Sequence, residues 1–393
     1  MKQITILGST GSIGTSTLDV IRQHRDRFSV FALVAGANAE LLASQIREFH
    51  PQVVSLATDS ARIRLISILR DSGMPESDWP ELTIGPASRM NVAIAPEVDI
   101  VMSSIVGVAG LEATYEAVKR GKLVGLANKE VLVAAGSLVI EAARQHGPDR
   151  LLPVDSEHNG AHQCLRAGRH NEVRKLLLTA SGGPFRNTPA EALQSVTPEQ
   201  ALKHPTWVMG PRITIDSSTL MNKGFEVIEA CWLFDLPPSQ IEVVVHPQSK
   251  IHAMVEYSDG SVIAQVSATD MRMPIQYALT YPDRWEAPVP TLDWNSMGNW
   301  EFYPPDFRKF PLLKLAYQSM EAGGSATATL NAADEVAVEA FLQGEISYPR
   351  IAEVVEETLQ QVPNRKPTSI AEVLHIDNQS RQVARSIARG ELV

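Results

Sequence analysis

Cysteine is nearly absent from this chain: Cys164 and Cys231 are the only two in 393 residues. Neither stands in a metal-ligand or redox spacing, which argues against a thiolate centre and a disulfide scaffold and leaves two buried, reduced thiols. Positive charge is also in deficit, with 35 Lys and Arg against 45 Asp and Glu and a net charge of -10. Nucleic acid and anionic membrane both demand a basic surface, so neither is an expected partner. No apolar run approaches the ~18 residues of a membrane span. Met1-Lys2 leads directly into a strand and a glycine turn, with no cleavable signal pattern, so a cytoplasmic location is expected. Repeats and low-complexity segments are missing as well. What remains is ordinary for a globular protein, 44% hydrophobic and 20% charged, and long enough for two or three domains.

The first segment reads as a nucleotide-binding unit. Ile4 to Leu7 is a strand, Gly8-Ser9-Thr10-Gly11-Ser12-Ile13-Gly14 a glycine turn, and Thr15 to His24 a helix. Strand, glycine turn and helix are the context in which backbone N–H groups and a helix N-terminus cradle a pyrophosphate. The spacing is G-x-x-G-x-x-G, and a tight structural turn is the alternative. Strands at Phe28–Ala35, Gln52–Ala57, Glu81–Ile84, Asp99–Ile105 and Lys122–Ala127 alternate with helical segments, the pattern of a doubly wound parallel sheet. The second strand ends in Gly36-Ala37-Asn38 without the acidic residue that holds an NAD ribose, which favours NADP. Asn128, Lys129 and Glu130 close the sixth strand, where ligands of such sheets bind; a helix start capped by Asn128 explains them equally well.

Further along, Leu151 to Val154 reads as a short buried strand that runs into Asp155-Ser156-Glu157-His158-Asn159. An extended chain would point Asp155 and Glu157 to one side, and two carboxylates that close need a cation or a proton between them. Oxygen ligands favour a hard divalent ion such as Mg or Mn. Lys175 to Thr179, a strand, ends in Ser181-Gly182-Gly183, a turn suited to an oxyanion, though a merely flexible turn explains it equally well. The proline-rich stretch that follows, with His204 and Trp207, reads as a long loop able to cover a ligand. In Asp216 to Ala230, the hydroxyl of Ser217, amide of Asn222 and ammonium of Lys223 are the donors a phosphate monoester wants. Glu226 lies one helical turn beyond Asn222 and Lys223. Together these residues describe one site with three carboxylates, a divalent cation and a phosphorylated substrate. His246 and His252 read as core histidines. Residues 281–311 form a stiff connector that interleaves prolines with aromatics. Beyond it, Asn331 reads as the cap of a helix that Gly344 ends, and apolar stripes at Ile351–Leu359 and Ile370–Leu374 mark a small helical bundle.

The motifs GSTGSIG, LANKE, VDSEHN, SGGPF, HPTWVMG, DSSTLMNKGFEVIEA, HPQSKIH and NAADEVAVEAF occur in this order. Together they closely resemble the 1-deoxy-D-xylulose 5-phosphate reductoisomerases of the non-mevalonate isoprenoid pathway, over nearly the whole chain. The resemblance implies an α/β architecture: an N-terminal Rossmann-like NADPH domain (1–150), an α+β catalytic domain (151–280) with a lid loop near 182–211, a linker (281–311) and a C-terminal four-helix bundle (312–393). It implies a homodimer that converts 1-deoxy-D-xylulose 5-phosphate to 2-C-methyl-D-erythritol 4-phosphate by retro-aldol and aldol rearrangement and hydride reduction. Asp155, Glu157 and Glu226 would bind the divalent metal (Mg, Mn or Co). Lys129 and Ser156 would meet the keto and hydroxyl end of the sugar phosphate. Ser181, Ser217, Asn222 and Lys223 would hold its phosphate, and His204 and Trp207 would close over it. Lys129, Glu157, His204 and Glu226 would be the catalytic set. Thr10, Gly11, Ser12, Ile13, Gly36, Ala37, Asn38, Asn128, Glu130 and Gly210 would line the NADPH site. Ala37 stands where such proteins often carry Arg or Lys for the cofactor's extra phosphate, and Lys203 where Gly is frequent. Two other functions fit parts of the pattern: an NADP- and metal-dependent dehydrogenase or decarboxylase without a skeletal shift, and a nucleotide-sensing regulator.

Overall fold

The computed structural model describes residues 1–207 and 209–391. Val208, within the expected lid loop, and Leu392 and Val393, at the end of the expected bundle, lie outside the described residues. In chain order the elements begin β1 (Lys2–Leu7), α1 (Ser12–Gln23), β2 (Phe28–Ala35), α2 (Ala39–Phe49), β3 (Val53–Leu56), α3 (Asp59–Asp71), β4 (Glu81–Ile84), α4 (Gly85–Ile94) and β5 (Ile100–Ser103). They continue through α5 (Leu111–Lys119), β6 (Leu123–Leu126), α6 (Glu130–Arg144), β7 (Leu151–Pro153), α7 (Ser156–Leu165), β8 (Val173–Ala180), α8 (Pro198–Ala201), α9 (Pro211–Ser218) and α10 (Met221–Phe234). The last are β9 (Ile241–Val245), β10 (Ile251–Tyr257), β11 (Val262–Val266), α11 (Arg272–Thr280), α12 (Pro311–Ala322), α13 (Ala326–Leu342), α14 (Arg350–Gln361) and α15 (Ile370–Ala388). None of the helices described is long and apolar enough to cross a membrane.

The chain divides into two compact units. The first comprises Met1–Val131, Val139–Ser156 and Asp270–Pro290. Its seven-stranded sheet has the order β4-β3-β2-β1-β5-β6-β7, with every pair parallel. Parallel strands covered on both faces are apolar throughout, and β2 reads Phe-Ser-Val-Phe-Ala-Leu-Val-Ala for that reason. Ile4, Ile6, Leu33, Val54 and Met102 from the strands meet Leu18, Leu42 and Leu65 from the helices in one core. Helix starts are marked chemically: Asn38 accepts from the Leu41 N–H to cap α2, and Thr58 accepts from the Ala61 N–H to cap α3.

Asp270–Pro290 returns to this first unit, so the chain crosses back well before the expected boundary at residue 280. The reason is apolar burial. Ile275, Ala278 and Leu279 of α11 join the first core, and the Trp285 ring stacks on Phe28 at 5.6 Å and meets His24 edge-on at 5.3 Å. The Arg27 guanidinium lies 4.5 Å over the same indole.

The second unit holds Leu132–Leu138, Glu157–Thr269 and Thr291–Val393. Its sheet has the order β11-β10-β8-β9, antiparallel except for the β8–β9 pair. Helices α12 to α15 form the expected C-terminal group of four, but they are no separate body: Leu312, Leu330, Phe341 and Val354 share one core with Leu176, Val243 and Ala253 of the sheet. α13 is buried nearly all round, the signature of a central helix. Asn331 sits in its middle and caps nothing; the helix begins after Ser325. Gly344, in the left-handed region at φ 74°, follows its end as expected. Within the expected lid loop, Thr197-Pro198-Glu199-Gln200 forms a capping box that starts α8, so this stretch is partly helical.

Replacing Trp285 with Ala removes the aromatic that fastens 270–290 to the first core. We expect a loss of about 2 kcal/mol for this half-buried ring, read as a lower urea midpoint for the first unit.

Candidate active site

In the first unit the glycine turn has the backbone its sequence demands. Gly8 adopts φ +94°, and a Cβ on Gly14 would lie 2.3 Å from the Gly8 carbonyl oxygen, so helix and strand can meet this closely only without side chains. The N–H groups of Gly8 and Ser9 both donate to the Val34 carbonyl, at 2.9 and 2.8 Å, which ties the turn to the end of β2. Thr10 to Ile13 lead into α1, where Gly11 is the cap and no side chain occupies the capping position. Because β1 and β2 are neighbours, Gly36, Ala37 and Asn38 emerge beside this turn. At the end of β6, the Asn128 amide donates to the Gly107 carbonyl at 2.9 Å, and Glu130 accepts from the Gly107 N–H at 3.2 Å. Both therefore hold the loop at 105–107. Lys129 between them turns the other way and pairs with Asp155 at 2.7 Å, with both side chains largely buried.

Asp155 and Glu157 are not on an extended strand. β7 stops at Pro153 and α7 starts at Ser156, so Glu157 stands in the first turn of a helix and Asp155 just before it. Within the second unit two acids still come together: Glu157 and Glu226 both reach the Lys223 ammonium. Glu226 comes from α10. Asn222, one turn earlier, donates to it at 2.7 Å, and Lys223 bonds its second oxygen. The Lys223 ammonium also lies 3.7 Å from Glu157. In the second unit α7 and α10 are joined from behind. His158 Nε2 contacts the Glu226 carbonyl at 2.7 Å, and His158 Nδ1 lies 3.2 Å from Glu229. All three residues are buried.

The expected substrate cover lies in the same unit. The Thr206 and Trp207 N–H groups donate to His204 Nδ1 at 3.2 and 2.9 Å, so this nitrogen carries a lone pair and the proton is on Nε2. That Nε2–H donates to Ser181 Oγ at 3.1 Å, and Ser181 Oγ accepts from the Gly183 N–H at 3.2 Å. Burial pushes the His204 imidazole down to about 4, in keeping with a tautomer already matched to its partners. Gly183 approaches the Ser217 backbone so closely that an added Cβ would lie 2.8 Å from the Ser217 oxygen. Gly210 caps α9. The Trp207 ring stands 6.4 Å from that of His252, whose Nδ1 is 4.0 Å from Glu157.

His252 is buried, as the sequence suggested, and also approaches the acids. His246 is the core histidine: its ring stacks on Phe302 at 4.8 Å, and Nδ1 bonds the Glu301 carbonyl at 3.0 Å. His158 and Glu229 escaped the sequence reading. Their signal was weak but present, since His158 adjoins Glu157 and Glu229 repeats Glu226 at helical spacing.

Comparison with known proteins gives one answer along the chain. The family described as 1-deoxy-D-xylulose 5-phosphate reductoisomerase matches residues 4–136, its C-terminal domain residues 151–234, and the DXP reductoisomerase C-terminal domain residues 266–383. A 1-deoxy-D-xylulose 5-phosphate reductoisomerase of Solibacter usitatus is 64% identical over 388 residues, covering 99% of this chain and 98% of that one. The solved structure of the Zymomonas mobilis reductoisomerase in complex with NADPH matches with a TM-score of 0.91 and 43% identity, over 98% of this chain and 99% of the other. A DOX-P reductoisomerase in complex with NADPH, fosmidomycin and magnesium matches with a TM-score of 0.91 and 39% identity, over 99% and 98%.

The His204 geometry has a pH consequence. A histidine held low binds fewer protons folded than unfolded between its ordinary value of 6.5 and about 4. Its contribution to the 204–207 loop is therefore full above pH 6.5 and is lost as pH falls toward 4. An NMR titration should find the His204 midpoint near 4, well below that of an exposed histidine.

Proposed function

Because the chain belongs to the 1-deoxy-D-xylulose 5-phosphate reductoisomerase family, we propose that it converts 1-deoxy-D-xylulose 5-phosphate to 2-C-methyl-D-erythritol 4-phosphate with NADPH and a divalent cation. The observation that carries this reading is that Glu157 and Glu226 share the Lys223 ammonium, with Asp155 two residues before Glu157 in the chain. Three carboxylates form an all-oxygen donor set, which fits a hard divalent ion and suits thiophilic metals poorly. These three residues would hold the ion. When bound, it supplies positive charge beside the substrate oxygens that become negative as the carbon skeleton rearranges, and NADPH supplies the hydride.

The chain's own groups do the rest. Lys129, buried beside Asp155, brings an ammonium to the keto end of the substrate, with Ser156 at the start of α7 offering a hydroxyl. Ser181, Ser217, Asn222 and Lys223 bind the phosphate. Asn222 and Lys223 bond Glu226 in this structure, so a phosphate and Glu226 compete for the same two donors. His204 donates through Nε2 and stays neutral across the physiological range, and Trp207 shields the substrate from water. Thr10 to Ile13, Gly36 to Asn38, Asn128, Glu130 and Gly210 line the cofactor site. We assign the skeletal change to retro-aldol cleavage and aldol rejoining, and the enzyme to the cytoplasm, where its two free, buried cysteines remain reduced.

The same reading includes a homodimer. β11 is the edge strand of its sheet, and it exposes Val262 and Ile263 by 50% and 38%. An apolar, half-open edge favours a second copy of the chain.

Two measurements test this function. NADPH oxidation with 1-deoxy-D-xylulose 5-phosphate should require a divalent cation and yield the branched polyol phosphate; an unrearranged product would make the protein a simple dehydrogenase. Glu226→Gln should weaken cation binding by at least the ~10–100-fold that lesser disturbances around a metal cost, with an unchanged circular dichroism spectrum. For the dimer, Ile263→Lys should shift sedimentation toward the monomer, and an unshifted dimer would place the interface elsewhere.

A further inference from the structure

Beside the acids of the proposed active site, the second unit contains another buried ionic cluster. It joins α9 to the C-terminal helices. Arg212 of α9 donates to Asn331 at 2.9 Å and to Glu335 at 2.9 Å, both on α13. Arg381 of α15 reaches the same Glu335 at 3.0 Å and Asp377 at 2.7 Å. Asp334 of α13 is completely buried and faces Asp216 of α9. Arg212 lies farther off, 3.7 Å from Asp216 and 3.8 Å from Asp334. Neither Asp334 oxygen meets a protein N–H or hydroxyl donor among the described residues.

Two apposed carboxyl groups attract only if one holds a proton. Burial, the charge of Asp216 and that of Glu335 raise Asp334, against the single opposing pull of Arg212. One proton held between Asp334 and Asp216 satisfies the pair. Ser217, the next residue after Asp216, is assigned to the substrate's phosphate. At its far end α9 is held again from the C-terminal helices, where the Tyr348 hydroxyl donates to the Ser218 carbonyl at 2.7 Å.

We propose that Asp334 is a positioning residue for the phosphate subsite: through Asp216 it fixes the helix that presents Ser217, although it touches no substrate. The proposal rests on the assignment of Ser217, Asn222 and Lys223 to that phosphate. Asp334→Ala removes this partner of Asp216 and leaves a cavity beside it. Asp334→Asn keeps the shape and offers an amide N–H to an ionised Asp216.

The test compares the two variants with the parent enzyme for KM, kcat, the inhibition constant of inorganic phosphate, and NADPH affinity. The Ala variant should raise KM and the phosphate inhibition constant by tenfold or more, with kcat within threefold and NADPH affinity within twofold. The Asn variant should restore all four. If the Ala variant does not fold, Asp334→Ser, with a shorter hydroxyl donor, should show the same split. An unchanged KM in a folded Ala or Ser variant overturns the proposal. So do equal losses of phosphate and NADPH binding, an Asn variant as impaired as Ala, or failure of both small variants to fold. A parent enzyme that inorganic phosphate does not inhibit would instead sink the underlying assignment of the phosphate subsite.

Discussion

Glu157 and Glu226 both lie against the Lys223 ammonium, and carboxylates brought that near one another repel strongly where little water screens them. The surrounding structure offsets that repulsion. Lys129 faces Asp155, and Lys223 bridges Glu157 and Glu226. Asn222 steadies Glu226, and His158 ties the first turn of α7 to the α10 backbone. Packing keeps these helices in place. Gly224 of α10 stands where an added Cβ would come 2.7 Å from Ala316 of α12, so a larger residue would push the helix that carries Glu226 off its support. The ammonium groups of Lys129 and Lys223 thus offset much of the negative charge of these acids.

The second ionic cluster extends this logic to α9. Its partners are 119 and 123 residues away in the chain, on helices that share a core with the four-stranded sheet. The C-terminal helices therefore act as a wall of the second unit. Their buried acids and arginines are costly to desolvate and are kept only where partners are complete. Here Arg212 reaches Asn331 and Glu335, Arg381 reaches Glu335 and Asp377, and Asp334 faces Asp216.

Much of the architecture could be read in advance. The bounds of β2 and β4 match those expected from apolar runs and turn residues, because each is a local pattern with a local boundary. The alternation of strands and helices in residues 2–126 pointed to a parallel sheet, and the sheet is parallel. Four expectations failed, some to distant packing and one to a local capping box that was overlooked. Ser156 begins a helix where an extended chain was expected. Residues 198–201 coil within a proline-rich loop. Asn331 lies mid-helix and accepts from Arg212 instead of capping. Residues 270–290 return to the first core because Trp285 and Ile275 find apolar partners there.

By itself the sequence determined residue chemistry and local geometry: a glycine turn between strand and helix, two acids beside Ser156, an amide, an ammonium and a carboxylate along one helix, and motifs distinctive enough to indicate a family. Those properties depend on neighbours a few positions apart, so they survive without coordinates. Only the tertiary structure decided which of these groups meet. It set Glu226 against Glu157, turned His204 toward Ser181, brought the buried His252 near Glu157, and placed Asp334 opposite Asp216. Such meetings are fixed by the packing of remote helices and strands, and nothing in the periodicity of either partner records them.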